Sequence, residues 1–272
     1  TLRWLSPSYP DSVLGWEGYA SGAVPTADLA AAVLSTPAIG DLDGDGTLEI
    51  VAVTMEGDVY VVEPNGSVRE GWPVGLPEVL SGDPRRGGPP TRDSVVERGA
   101  FASPALVDLD DDDALEIVLP AFDGQAHVFR ADGSVQPGFP VRIVALELWR
   151  DDDDAAPSMI MTSPAIGDAN GDGIPDIAVG SNEYGDDSNT GAIHLIHGDG
   201  NLHEGGASHP NWPVVVTSLN LFPFVGRGTS SAVAMADVNG DGRPDLAVAG
   251  NAGTVDVLDG IQPPRRPGED PL

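Results

Sequence analysis

Short apolar runs alternate with acidic and glycine-rich turns along most of the chain. Residues 50–53 and 59–62 are two such runs, and a Glu-Gly-Asp turn separates them. Short runs rich in β-branched side chains and bounded by Gly or Asp are typical of strands, and a Gly-containing turn between two of them predicts a hairpin. The pattern therefore predicts an all-β protein with many turns and little helix.

One longer pattern occurs four times, which makes the chain a repeat protein. The first copy, residues 35–51, reads S-T-P-A-I-G-D-L-D-G-D-G-T-L-E-I-V. In each copy a short apolar stretch precedes an acidic loop and a β-rich run follows it. A hairpin comes next in all four copies, and in the first three a closing segment such as 71–74 (G-W-P-V) follows it. Each unit thus offers about four short strands, and a four-stranded antiparallel unit repeated at this period predicts the blade of a β-propeller.

The repeats also set the expected domain organisation. They cover about 35–74, 102–141, 162–216 and 230–260 within a propeller region of 35–272. Residues 1–34 form an N-terminal segment in which 14–19 could supply a blade-completing strand. The sequence leaves open whether the four units belong to a larger ring or form a compact ring closed by residues 1–34. A β-sandwich is disfavoured, because sandwiches do not usually repeat one loop in phase with every fourth strand.

The acidic loop of each copy has oxygen-bearing side chains at its first, third, fifth and ninth positions. The seventh position varies freely, as expected of a ligand that is a backbone carbonyl. The sixth position is Gly in three copies, where we expect a left-handed turn, and Asp113 in the second copy. The candidate ligands, at positions 1, 3, 5, 7 and 9 of the successive loops, are Asp41, Asp43, Asp45, Thr47 and Glu49; Asp108, Asp110, Asp112, Ala114 and Glu116; Asp168, Asn170, Asp172, Ile174 and Asp176; and Asp237, Asn239, Asp241, Arg243 and Asp245.

Hard oxygen donors without His or Cys favour Ca²⁺ over Zn²⁺. Carboxylates crowded into nine residues also repel one another unless a cation bridges them. An EF-hand would require a bidentate Glu at position 12, where this chain has the apolar residues Ala52, Leu119, Val179 and Val248. The loops therefore predict about four Ca²⁺ sites, and Asp113 leaves binding at the second of them open.

These loops and their spacing resemble the FG-GAP repeat family, also called VCBS-type repeats, over roughly residues 35–260. The resemblance implies Ca²⁺-binding propeller blades like those of integrin α-subunits, in a ring that usually has seven. It also implies an extracellular or cell-surface protein, such as a secreted bacterial one. Adhesion, scaffolding or recognition of a protein or carbohydrate ligand would be its role.

The charge narrows the possible partners. The chain has 13 basic residues against 43 acidic ones, a formal net charge of −30. A nucleic-acid binder needs clustered basic residues, so nucleic acid is excluded, and an anionic membrane surface is disfavoured. No apolar run approaches the roughly 18 residues of a membrane helix, so we expect no membrane insertion. The absence of Cys excludes disulfides, Cys-ligated zinc and thiol catalysis.

The sequence contains no G-x-S-x-G, H-E-x-x-H, P-loop or dinucleotide motif. Our first hypothesis is therefore a non-catalytic recognition module. The second is a polysaccharide-active lyase or hydrolase on a propeller scaffold, with a pocket built by the long loops 75–99, 142–161 and 216–229. A third is a structural spacer within a larger surface protein.

Several other features are interpreted as structural. The spacing of the clustered histidines fits no metal motif, and the aromatic residues before Pro are expected to pack between blades rather than to stack on sugars. We also expect the Arg-rich insertion and the Asp run to be solvated, rather than to contact an anionic partner and a further cation. These residues are His194, His197, His203 and His209; Trp16, Trp72, Phe139 and Trp212; Arg85, Arg86, Arg92 and Arg98; and 151–154.

Overall fold

The fold is described from a computed structural model. The described residues are 33, 35–77, 79–81, 95–97, 99–143, 159–160, 162–183, 192–216, 227–229, 231–250 and 254–262. Several features discussed above lie outside them: the segment 14–19, the Arg-rich insertion and the Asp run 151–154. Across the described residues the protein is all-β apart from one 3-10 turn, as the apolar pattern predicts. These residues contain no helix of the length and hydrophobicity needed to cross a membrane.

The first two repeats each form a four-stranded antiparallel sheet in which successive strands are neighbours. A two-stranded ribbon lies between the two sheets in sequence. The first sheet contains β1 (Ala38–Gly40), β2 (Glu49–Val53), β3 (Asp58–Val62) and β4 (Val74–Gly75). The ribbon contains β5 (Val79–Ser81) and β6 (Val95–Glu97). The second sheet contains β7 (Ala105–Val107), β8 (Glu116–Pro120), β9 (Gln125–Phe129) and β10 (Val141–Arg142).

The third repeat forms a larger sheet around one long strand. The first half of that strand pairs with one strand on each side, and its second half pairs with two further strands. The strands are β11 (Met159–Ile160), β12 (Ala165–Gly167), β13 (Asp176–Glu183), β14 (Ala192–Ile196), β15 (Val214–Val215) and β16 (Arg227–Gly228). A 3-10 turn (Gly200–Leu202) follows β14. The four strands β12, β13, β14 and β15 reproduce the sheet of the first two repeats.

The fourth repeat shows three strands within the described residues, and strands that follow one another in sequence are paired. They are β17 (Ala234–Ala236), β18 (Asp245–Ala249) and β19 (Val255–Asp259). The predicted four-stranded unit is therefore confirmed in three repeats, and the described part of the fourth follows the same order. We call the four sheets blades one to four.

Among the described residues, three hydrophobic clusters fill the spaces between consecutive blades. The first joins β2 and β3 to β8, the second joins blades two and three, and the third joins blades three and four. Trp72, Phe139 and Trp212 are buried in these clusters, so the predicted packing role of these aromatic residues is confirmed. The indole N–H of Trp72 donates to the carbonyl of Ala131 in the next blade, at 3.1 Å.

The acidic loop occupies the same corner of every blade. It connects the first two strands of each repeat unit: β1 to β2, β7 to β8, β12 to β13, and β17 to β18. Its ninth residue is always the first residue of the second strand. The first strands of successive blades are in contact, β1 with β7, β7 with β12 and β12 with β17. The loops therefore follow one another along one side of the described blades.

Candidate metal centres

The first aspartate of each loop organises the backbone around itself. In loop one, Asp41 Oδ1 accepts a hydrogen bond from the N–H of Asp45 (3.1 Å), and its Oδ2 accepts one from Gly46 (2.8 Å). The carboxylate at position 5, Asp45, accepts the N–H of Thr47 at 2.7 Å. The same bonds, to the N–H groups of positions 5, 6 and 7, recur in the other three loops.

The backbone turns left-handed at position 6 in all four loops. Its φ is 87° at Gly46, 68° at Asp113, 91° at Gly173 and 91° at Gly242, so the predicted turn is confirmed, including the copy with Asp. Position 4 is left-handed as well, which the sequence interpretation missed. The signal was present, because three of the four residues there are Gly: Gly44, Asp111, Gly171 and Gly240.

The carboxylate at position 9 anchors each loop from the core side. Glu49, Glu116, Asp176 and Asp245 are at most 4 % exposed. One oxygen of each accepts the backbone N–H of position 2, at 2.9 to 3.0 Å. Burial raises the pKa of the Glu49 and Glu116 carboxyls, because a charged carboxylate is poorly solvated there.

Loops one and two bring carboxylates together as a cation site would require. Oxygens of Asp41, Asp43 and Asp45 lie within 4.8 Å of one another, and so do those of Asp108, Asp110 and Glu116. Among the described residues, Oε1 of Glu49 is buried without a hydrogen-bond partner. A buried carboxylate oxygen without a donor is costly unless a cation coordinates it. The residues of these loops therefore fit a hard divalent ion.

Loops three and four carry Asn at position 3. In loop three the Asn170 amide donates to Asp172 Oδ2 at 2.8 Å, and its own oxygen accepts the N–H of Asp172. Asn239 and Asp241 repeat both bonds in loop four. Each amide thereby ties position 3 to position 5.

At position 7 the N–H of each residue bonds to the carboxylate of position 5. The Thr47 side chain also hydrogen-bonds to Asp45 and lowers the pKa of that carboxyl, and the Arg243 guanidinium lies 3.4 Å from Asp241. The structure assigns no role to the side chains of Ala114 and Ile174.

Two further residues lie beside the loop in each of the first three blades, and we call them the flanking pair. They are Glu63 and Arg69 in blade one, Arg130 and Gln136 in blade two, and His197 and His209 in blade three. The backbone places them equivalently. The first member directly follows β3, β9 or β14, and its N–H donates to a carbonyl on the far side of the next turn. The N–H of the second member donates to a carbonyl within that same strand.

The flanking pairs of blades one and two bring basic or polar groups to the acidic loops. The Arg69 guanidinium contacts Asp43, lies 3.4 Å from Glu49 Oε2, and pairs with Glu63 at 3.2 Å. Asp110 Oδ2 is 3.3 Å from Arg130 and accepts a hydrogen bond from Gln136 at 3.0 Å. Side chains outside the loops thus offset part of their charge.

The flanking pair of blade three consists of two imidazoles. Nε2 of His209 lies 2.8 Å from Asp176 Oδ1, and Nδ1 of His197 lies 3.7 Å from the same oxygen. The His197 ring stacks between those of His209 and His203, with centroids 3.6 and 3.5 Å away. Burial, reinforced by these two imidazoles, lowers the pKa of His197. His194 is buried elsewhere in β14.

The sequence interpretation did not predict that these histidines lie beside the acidic loop, because their spacing matches no metal motif. Aligning the repeats would have done so, since His197 and His209 take the places of Arg130 and Gln136.

Comparison with known proteins supports the repeat assignment. Residues 168–248 match the FG-GAP-like repeat family, which confirms the resemblance for the part of the chain that holds loops three and four. No curated protein matches the chain.

Three solved structures illustrate the likeness. BBS1N in complex with ARL6DN is 13 % identical, with a TM-score of 0.46, over 87 % of this chain and 53 % of that one. The Pseudomonas aeruginosa PilY1 C-terminal domain is 14 % identical, with a TM-score of 0.40, over 82 % and 46 %. The V. cholerae biofilm matrix protein Bap1 is 18 % identical, with a TM-score of 0.34, over 79 % and 35 %. The chain thus spans about half or less of each, and likeness at this level carries no information on ligand or activity.

Proposed function

We propose that the chain is a Ca²⁺-stabilised propeller module of an extracellular or cell-surface protein, which recognises a protein or carbohydrate ligand without catalysing a reaction. The observation that carries the proposal is the loop network, repeated four times with the same donors and acceptors. In this proposal positions 1, 3, 5 and 9 give side-chain oxygens and position 7 gives its backbone carbonyl. Ca²⁺ is favoured over Mg²⁺, which usually retains several waters.

The electrostatics of the loops support Ca²⁺ binding. Each loop carries three or four carboxylates within nine residues, and their mutual repulsion opposes folding unless a cation offsets it. The flanking Arg69 and Arg130 offset part of it in blades one and two. The buried Oε1 of Glu49 still lacks a donor among the described residues, and a cation would satisfy it.

Ca²⁺ binding of ordinary extracellular strength would matter to the fold. Extracellular modules bind with a Kd of about 10⁻⁴ to 10⁻³ M. At the tighter limit and about 1 mM Ca²⁺, one site adds about 1.4 kcal/mol to the free energy of unfolding. Four independent sites would add about 6 kcal/mol, comparable to the whole stability of many domains.

The recognition part of the proposal is tested on glycan and protein arrays, probed in Ca²⁺ and again in EGTA. We expect a ligand that binds in Ca²⁺, is lost in EGTA and returns when Ca²⁺ is restored to the same sample. Bound glycans are then recovered and analysed for cleavage. Cleavage products would contradict the non-catalytic role. The absence of binding on both arrays would contradict ligand recognition and favour a structural spacer within a larger surface protein.

A further inference from the structure

We propose that blade three holds a metal site of a second kind, which takes a divalent transition-metal ion of the Zn²⁺ class on the imidazoles of His197 and His209 and the carboxylate of Asp176. The site is distinct in chemistry from the oxygen-only loops. It does not depend on Ca²⁺ binding by those loops.

The donors are of the right type and already close together. One ligand atom from each of the three side chains lies within 4.8 Å of the other two. All three residues are buried, with at most 6 % of their surface exposed. Two neutral imidazoles and one carboxylate suit Zn²⁺ and its neighbours, whereas Ca²⁺ prefers oxygen.

Coordination requires only local side-chain movement. In a tetrahedral site with bonds of 2.0–2.1 Å, ligand atoms are about 3.3 Å apart. Asp176 Oδ1 lies 2.8 Å from His209 Nε2 and 3.7 Å from His197 Nδ1, so each of these two distances has to change by about 0.5 Å. The stacked rings of His197 and His209 are 24° from parallel. One ring must therefore turn so that both lone pairs converge on the ion. The proton that His209 Nε2 shares with Asp176 leaves as the ion binds, either to Nδ1 of the same ring or to solvent, and two metal bonds replace that hydrogen bond.

The two oxygens of Asp176 serve different neighbours. Oδ2 accepts the backbone N–H of Ala169 at 3.0 Å and so holds the acidic loop. Oδ1 faces the imidazoles. The backbone contact that anchors the loop and the proposed site therefore use different oxygens of Asp176.

The surroundings provide access and a second layer of contacts. A cavity of about 380 Å³ is lined by Asn170, Glu204, Asn211 and the three stacked histidines. It gives an ion a route to the site and leaves room for a water as the fourth ligand. His203 stacks on His197, and its Nδ1 lies 3.1 Å from Asp199, so this pair positions the His197 ring.

The other blades show that the fold forms without histidines at the positions of His197 and His209. The equivalent pairs are Glu63 with Arg69 and Arg130 with Gln136, and Arg cannot serve as a ligand because it stays protonated. The double variant His197→Arg with His209→Gln therefore transplants the blade-two pair into blade three. We expect this variant to fold, because blade two carries the same two residues at the equivalent positions.

The test is a Zn²⁺ titration of tag-free protein with Ca²⁺ in excess, followed by calorimetry, together with Co²⁺ loading read by visible absorption. We expect the wild-type chain to bind one equivalent of Zn²⁺ and to give the ligand-field bands of tetrahedral Co²⁺. The double variant should lose both signals, and the single variant His209→Gln should bind Zn²⁺ at least tenfold more weakly. Far-UV circular dichroism and melting in Ca²⁺ verify that both variants are folded.

The control is His127→Gln in blade two. His127 is also buried and also lies 2.8 Å from a carboxylate, Asp123, so the variant removes a similar pair away from the proposed site. Zn²⁺ binding should be unchanged in this control. Equal Zn²⁺ binding by the wild-type chain and the double variant, or no binding by either, overturns the proposal.

Discussion

At the residue scale, the leading Asp of each loop combines two functions. Both oxygens of Asp237, for example, accept backbone N–H groups, at 2.6 Å from Gly240 and 2.9 Å from Gly242. Asn offers one such oxygen, and the longer Glu side chain would have to fold back to reach its own loop. Asp therefore shapes the loop and supplies charge at the same atoms.

Asp113 should carry a measurable conformational cost, because its φ of 68° is a conformation that favours Gly. We expect Asp113→Gly to raise the free energy of unfolding in EGTA by about 0.5 to 1 kcal/mol, measured by urea titration. Gly46→Ala is the reverse control at the same position of loop one. Its added Cβ would meet nothing within 4 Å, so a loss of about 1 kcal/mol would come from backbone strain. A lower free energy of unfolding for Asp113→Gly would contradict the claim that Asp113 is held in a strained backbone conformation.

His194 should make the protein sensitive to acid. Burial lowers its pKa to about 3, so between about pH 6.5 and pH 3 the unfolded chain binds a proton that the native chain does not. Native stability is therefore lost as the pH falls below about 6.5. We expect the wild-type chain to lose about 2 kcal/mol more than His194→Leu between pH 7 and pH 5, by urea titration. Parallel losses in the two proteins would show that His194 does not contribute.

At the element scale, consecutive blades meet through close backbone contacts as well as through apolar clusters. Gly138 accepts hydrogen bonds from the N–H and the side-chain amide of Asn201, both at 2.9 Å. A Cβ on Gly138 would lie 2.2 Å from the carbonyl oxygen of Asp199. The junction between blades two and three therefore requires Gly at this position.

Gly138→Ala should disrupt that junction. We compare it with Gly205→Ala, because Gly205 also has a positive φ but a Cβ there would meet nothing within 4 Å. Both variants place an Ala at a positive φ, but only Gly138→Ala also brings a Cβ against the Asp199 carbonyl. We expect Gly138→Ala to lose about 2 to 4 kcal/mol more than Gly205→Ala in urea unfolding. Equal losses would mean that the blades do not meet there.

The segment after β3 should affect both the Ca²⁺ affinity of the first loop and its stability without Ca²⁺, because Arg69 in this segment contacts Asp43 and Glu49. Arg69→Gln copies the residue of blade two and removes a positive charge from the proposed site. We expect tighter Ca²⁺ binding by calorimetry and a lower free energy of unfolding in EGTA. Arg142→Gln makes the same change of net charge at an exposed position of β10. The same Ca²⁺ affinity in both variants would contradict a local effect.

The strands, the loop positions and the left-handed sixth residue could be predicted, because each depends on neighbours in sequence and recurs four times. The flanking pairs could not be read directly from spacing. His209 is 33 residues from Asp176, and their contact depends on how β14 and the following turn fold back over the loop. The extra pairing of β13 with β11 and β16 was missed for a similar reason, since 159–160 and 227–228 carry no strand signal of their own.

At the scale of the whole molecule, the arrangement of blades concentrates negative charge. The first strands β1, β7, β12 and β17 lie next to one another in order, so the acidic loops lie at successive corners. The formal charge of −30 therefore includes carboxylates that the fold itself brings together. Four Ca²⁺ ions would reduce it to about −22 and would act where the repulsion is strongest.

The most direct test of this account is the free energy of unfolding of the wild-type chain in about 1 mM Ca²⁺ and in EGTA. Samples with Mg²⁺ in place of Ca²⁺ serve as the ionic control. We predict that Ca²⁺ raises the free energy of unfolding by about 6 kcal/mol if all four loops bind, and that Mg²⁺ reproduces only a small part of the effect. Unfolding curves that coincide in Ca²⁺ and EGTA would contradict the claim that the acidic loops are Ca²⁺ sites.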